Sequence, residues 1–97
     1  MCNNHKYFMQ AAIYEAEKNL LTNDGGPFGA VIVKDGKIIA RGHNEVLKNN
    51  DPTCHAEMQT IRAACEALGT FDLSGCELYT SCYPCPMCLS ATIWANI

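Results

Sequence analysis

The run Ala30-Val31-Ile32-Val33-Lys34, then Asp35-Gly36, then Lys37-Ile38-Ile39-Ala40, restricts the possible folds more than any other stretch of this chain. Asp-Gly between two β-rich runs is the sequence of a two-residue hairpin turn, whose central positions require positive φ. Phe28 to Lys34 is therefore expected as a strand and Lys37 to His43 as its antiparallel return. A strand with one face in water alternates apolar and polar side chains. Ala30 to Val33 are apolar on both faces, as in a strand inside a sheet covered on two sides.

The covers are legible on either side of the hairpin. Phe8, Met9, Ala12, Ile13, Ala16, Leu20 and Leu21 recur at the three-and-four spacing of an amphipathic helix from Asn3 to Leu21, stopped by Thr22-Asn23-Asp24-Gly25-Gly26-Pro27. Asn44 to Pro52 reads as a polar loop. Cys54 to Leu68 reads as a second helix ending at Gly69, and Cys76 to Thr80 as a short third strand. Pro86 suits a first helical position, and Met87 to Ile97 continues as an apolar helix. The order is helix, strand, strand, helix, strand, helix, which predicts one α/β layered domain over residues 1–97, its third strand joined through a helical crossover. Three strands between helices make a thin core, so a second subunit or further chain is expected to complete it.

Charge and cysteine usage narrow the function. The net charge of −3 offers no electrostatic reason for binding nucleic acid or an anionic membrane. No apolar run approaches the roughly 20 residues of a membrane span. Met1-Cys2-Asn3-Asn4-His5-Lys6 does not read as a signal peptide, so a cytoplasmic location is expected. In that reducing compartment, an odd count of 7 cysteines points to metal or redox chemistry and away from a disulfide framework.

The thiols concentrate in Ser81-Cys82-Tyr83-Pro84-Cys85-Pro86-Met87-Cys88. Cys85 and Cys88 fall three apart at a helix start, on one face, where the helix dipole favours thiolates. That arrangement serves either a dithiol redox site or a metal site needing further ligands. Cys54-His55-Ala56-Glu57-Met58 supplies a candidate: His55 also stands at a helix start, and in a first turn Glu57 reaches the same point in space. One His and two Cys leave a tetrahedral ion with an open position, the mark of a catalytic zinc. Two thiolates neutralise Zn²⁺, and a water bound there is readily deprotonated with Glu57 as the acceptor, which would shuttle protons to a substrate ring nitrogen and then to a leaving amine. H-x-E combined with P-C-x-x-C is the signature of zinc deaminases.

His55-Ala56-Glu57 with Pro84-Cys85-Pro86-Met87-Cys88 resembles the cytidine deaminase-like superfamily, in its purine and tRNA-adenosine branch. The stretches GGPFGAVIVKDGKIIARGHN (Gly25 to Asn44), DPTCHAE, LGTFDLSGCELYTSC and PCPMC are most similar to the bacterial guanine deaminases. The resemblance implies a three-layer α/β/α sandwich around a mixed sheet, with one zinc ion per chain on His55, Cys85 and Cys88, and Glu57 as the proton shuttle. It implies Asn44, Phe28, Ala56 and Trp94 at the base, a homodimer, and hydrolysis of a nucleobase, with guanine going to xanthine and ammonia. Adenosine in tRNA and cytosine-type bases are the alternatives within the family. Relatives continue past the last helix with two strands and at least one helix, so residues 1–97 are expected to match the N-terminal two-thirds of the family domain. Tyr83 stands where the family commonly has Glu, and Cys54 where it has Ala.

Each residue also has a plainer reading. Cys54, Cys65, Cys76 and Cys82 are expected in the core, and Cys2 as a terminal residue without a partner. Asn44 alone would be a turn cap, Phe28 and Trp94 core residues, and Gly25-Gly26-Pro27 a turn. His5 and His43 are not expected as ligands. A non-catalytic zinc module and a redox protein using Cys85 and Cys88 are the competing classes; the first retains zinc without turnover, the second forms a reversible disulfide without stoichiometric metal.

Overall fold

A computed structural model describes residues 3–97; Cys2 lies outside them. The hairpin forms as its sequence requires. β1 (Gly29–Lys34) pairs antiparallel with β2 (Lys37–His43), and Asp35 and Gly36 take φ of 52° and 76° at the turn. One extra residue, Ile39, lies between the pairs Ile32↔Ala40 and Val33↔Ile38, a bulge that adds twist near the turn end of the hairpin. β3 (Cys76–Thr80) takes the other edge of β1, also antiparallel, to give the order β2-β1-β3. β2 and β3 thus run the same way without touching, and the crossover between them passes over β1. The mixed character implied by the resemblance does not arise among these three strands.

Helices cover both faces. α1 (Asn3–Lys18) sets Phe8 and Ala11 against Val31 and Val33, while α3 (Ala56–Leu68) sets Ile61 and Ala64 against Ile32, with Leu73 and Ala95. Adjacent β1 residues thereby feed opposite cores, as their unbroken apolar run requires. Fully burying such a side chain contributes about 1.5–3 kcal/mol. Two glycines set how close the layers come. A Cβ on Gly29 would stand 2.3 Å from the Ala16 nitrogen of α1, and one on Gly42 would stand 2.4 Å from Thr60 Oγ1 of α3.

Boundaries differ modestly from the sequence expectation. α1 ends at Lys18, and α3 begins at Ala56 with His55 as its N-cap and stops at Gly69, φ 68°. α4 (Pro86–Trp94) is shorter than expected because the Leu73 N–H donates to the Ala95 carbonyl at 2.8 Å, docking the end of the helix on the core. The segment expected as a loop contains a single helical turn, α2 (Val46–Asn49), whose Val46 N–H is capped by Asn44 Oδ1 at 3.0 Å. No helix among the described residues is long and apolar enough to cross a membrane.

Candidate metal centre and adjoining pocket

Two helix starts meet at one point. His55 is the N-cap of α3 and Cys85 the N-cap of α4, both with extended backbones, and neither side chain caps its own helix. Both are therefore free to point beyond the helix ends. Cys88, one turn into α4 and 0% exposed, completes a group whose ligand atoms all lie within 4.8 Å of one another. His55 Nδ1 stands 3.6 Å from each sulfur. Tetrahedral zinc with Zn–S about 2.3 Å and Zn–N about 2.0–2.1 Å sets sulfur and nitrogen roughly 3.6 Å apart, so the three side chains fit that ion as they stand.

The thiols reinforce this fit. Burial, with the Glu57 carboxylate nearby, pushes the Cys88 thiol up to about 12. The N–H of Cys88 at the start of α4 holds the Cys85 thiol below its ordinary value. A buried pair of unequal sulfurs beside a carboxylate is a poor dianion alone and a good ligand set for a dication.

Beside the group opens a pocket of about 260 Å³. Glu57, 7% exposed, lines it from the first turn of α3 together with His55 and Ala56. The opposite wall holds Phe28 and Asn44. Asn44 Oδ1 takes the Val46 N–H, so the amide NH₂ is the end of that side chain that can donate to a ligand. The turn-capping role and a place in the pocket are thus held by one residue. Trp94 does not line the pocket; it is 83% exposed at the end of α4.

The floor was not anticipated. Thr80, Ser81, Cys82 and Tyr83 line it as the chain leaves β3 for α4. Ser81 prolongs the β1–β3 pairing, its N–H donating to the Gly29 carbonyl and its Oγ accepting the Gly29 N–H, both at 3.0 Å. The available signal was positional: a segment joining a strand end to a metal-binding helix start has to border the site. Cys82 corrects the expectation of core packing, because the strand ends at Thr80 and turns this side chain outward. Cys54 and Cys76 are buried and Cys65 partly so. His5 meets the Tyr79 hydroxyl, and His43 meets Asp24 and Glu45, both away from the His55 group. A Cβ on Gly25 would lie 2.0 Å from Asn44 Oδ1, so the Gly25-Gly26 turn is a fixed close contact.

Residues 2–97 match the family described as the cytidine and deoxycytidylate deaminase zinc-binding region. The chain belongs to that deaminase family. The family binds zinc, and the His55, Cys85 and Cys88 group is the candidate site for that ion. The chain is 56% identical over 93 residues to guanine deaminase of Bacillus subtilis (strain 168), covering 96% of this chain and 60% of that protein. It is 46% identical to the tRNA-specific adenosine deaminase of Aquifex aeolicus (strain VF5), covering 95% of this chain and 60% of that protein. The crystal structure of the Bacillus subtilis guanine deaminase superposes with a TM-score of 0.92 at 55% identity, over 95% of this chain and 59% of that one. The structure of NE0047 in complex with 2,6-diaminopurine, 35% identical, superposes with a TM-score of 0.84, over 93% of this chain and 51% of that one. The chain thus spans 60% of the length of the two curated relatives.

Proposed function

We propose that the protein is a zinc-dependent hydrolytic deaminase of a nucleobase, acting on guanine to give xanthine and ammonia. The observation that carries this reading is a buried carboxylate, Glu57, lining a pocket beside a His55, Cys85 and Cys88 group with the dimensions of a zinc site. When bound, zinc supplies a water acidic enough to lose its proton near neutral pH. Glu57 takes that proton on its carboxylate, holds it away from bulk solvent and gives it to the ring nitrogen; it then takes the second proton, from the oxygen added to the ring carbon, and gives it to the amine, which leaves as ammonia as the C–N bond breaks. Asn44 orients the base by donating from its NH₂ to an acceptor on the ring, Phe28 packs against the base, and Ala56 keeps the wall between His55 and Glu57 small. Trp94 belongs to the base site in this reading only if the end of α4 is covered by other chain. A pocket of about 260 Å³ lies just under the usual range for drug-sized ligands, which suits a free base.

Guanine is favoured by the 56% identity to a protein of that name. Adenosine in tRNA is the second reading, supported by relatives at 46% identity and opposed by a net charge of −3, which gives an RNA backbone little to hold. The proposal includes a homodimer, supported by exposed Leu89, Ile93 and Trp94 on α4, and a cytoplasmic setting, which suits the free cysteines from Cys54 to Cys88.

The test is ammonia release from guanine, adenine, cytosine and their nucleosides by zinc-quantified protein, with Glu57→Gln alongside. Release from guanine is expected, reduced at least ~100-fold in the variant while zinc content stays the same. Zinc retained with no base turned over points to the second reading if inosine forms in added tRNA, and to a non-catalytic zinc module if it does not.

A further inference from the structure

We propose that Asn19 is the positioning residue of the base-binding wall: one buried amide holds the Gly26 and Asn44 carbonyls together and so sets where Phe28 and Asn44 stand. The proposal rests on the nucleobase reading of the pocket. Asn19 lies just past the end of α1 and is 7% exposed. Its Nδ2 donates to the Gly26 carbonyl at 2.7 Å and to the Asn44 carbonyl at 2.9 Å, while Oδ1 accepts the Thr22 hydroxyl at 3.1 Å. Both amide protons are used, and the two carbonyls, which can only accept, fix which end of the amide is which.

The carbonyls it joins belong to two different segments. Gly26 lies in the turn before β1, and Asn44 follows β2. The same segments meet again around the amide. The Phe28 N–H donates to the Gly26 carbonyl at 2.8 Å and the Asn44 N–H to the Phe28 carbonyl at 3.1 Å. Asn19, Gly26, Phe28 and Asn44 therefore form a closed ring of hydrogen bonds behind the wall. An outer tie parallels it: His43 Nε2 lies 3.0 Å from Asp24 Oδ2, and the Asp24 carbonyl accepts the N–H of Leu47 at 2.9 Å and of Lys48 at 3.0 Å. A residue serving only as the end of α1 would turn its side chain back on its own helix. Asn19 turns it away, linking the helix on one face of the sheet to a pocket built largely by the other. It does not line the pocket itself, so its effect passes through Phe28 and Asn44.

Asn19→Asp keeps the shape and replaces the NH₂ with an oxygen facing two carbonyl oxygens. In the zinc-loaded protein, the Kd for the guanine analogue 8-azaguanine is expected to rise about tenfold, and the KM for guanine by a similar factor, with kcat within about twofold and zinc content unchanged. A merely structural role predicts a smaller active fraction, with lower kcat and zinc but unchanged KM and Kd; that result overturns the proposal. Should Asn19→Asp not fold, Asn19→Ser and Asn19→Ala, which only remove donors, carry the same measurements. If the parent protein neither binds 8-azaguanine nor deaminates guanine, the nucleobase reading fails, and the clamp is decided without ligand. Amide hydrogen exchange at Phe28 and Asn44 is then expected to quicken about tenfold or more in the variant, and an unchanged rate overturns the positioning role.

Discussion

Cys88 has no exposed surface and its thiol is pushed up to about 12, so at neutral pH it carries a proton that zinc must displace. Zinc affinity is therefore expected to fall as pH drops, by about tenfold per unit for that one proton. Calorimetry at pH 7 in buffers of differing ionisation enthalpy should detect at least one proton released per zinc; none released would remove Cys88 from the ligand set. Glu15 makes a different prediction. It is 2% exposed, yet its partners Lys18 and Arg41 reach it at 3.0 and 3.4 Å from a half-exposed rim. Glu15→Gln leaves those cations in water, so a loss of about 1 kcal/mol in a urea titration is expected, well short of the cost of stranding a buried charge. The His55, Cys85 and Cys88 group was legible in the sequence because metal chemistry needs particular side chains at particular spacings, and helix starts bring them together. Asn19 and Ser81 were not legible. Each is an ordinary polar residue whose partners lie on segments distant in sequence, and no local pattern distinguishes it from a solvated one.

Hairpin and helices illustrate the same division among elements. Asp35-Gly36 sets the turn through positive φ, which local sequence reports directly, and Val31, Ile32 and Val33 announce two covered faces because neither face can be left in water. α2 escaped detection because four residues carry no periodicity; Asn44 Oδ1 accepts the N–H of Val46, its first residue, from just ahead of the N-cap Glu45. The bulge at Ile39 is equally silent, since both strands are apolar around it. Layer spacing was hidden as well, although the responsible residues are visible glycines. At Gly29 a Cβ would meet the backbone of Ala12 and Ala16, which cannot rotate aside. Gly29→Ala is expected to destabilise the protein by about 2–3 kcal/mol, read as a lower urea midpoint with little change in slope. Gly36→Ala meets nothing within 4 Å and suffers only from its φ of 76°, so about 1 kcal/mol is expected. Equal losses at the two sites would show that α1 is not held against β1 by backbone approach.

At the scale of the whole molecule, zinc at the candidate site would act as a clasp between layers. α3 leans on β1 and β2, while α4 follows β3 at the other edge of the sheet, and their first residues converge on the same point. The sheet is narrow: among the described residues β3 pairs only with β1. Beyond its ladder with β1, its docking relies on Cys76 and Leu78 on one face, on Tyr79 against Phe8 on the other, and on whatever joins the starts of α3 and α4. A ligand that binds only the folded state stabilises it by RT ln(1 + [L]/Kd), about 4 kcal/mol at a thousandfold excess over Kd. For a domain of this size each kcal/mol moves the midpoint by about 4–8 °C. Chelation is therefore expected to lower the melting temperature by at least ~10 °C, and added zinc to restore it. Cys85→Ser should melt near the chelated parent and respond little to zinc, because the ion loses the ligand that begins α4. Cys65→Ser separates this from general thiol loss. Cys65 lies toward the end of α3 opposite His55 and packs against the Ile61 and Leu73 cluster, so that variant should keep the full zinc-dependent shift from whatever baseline it has. A chelation effect that survives in Cys85→Ser would mean that zinc stabilises the fold from somewhere other than the meeting point of the two helices.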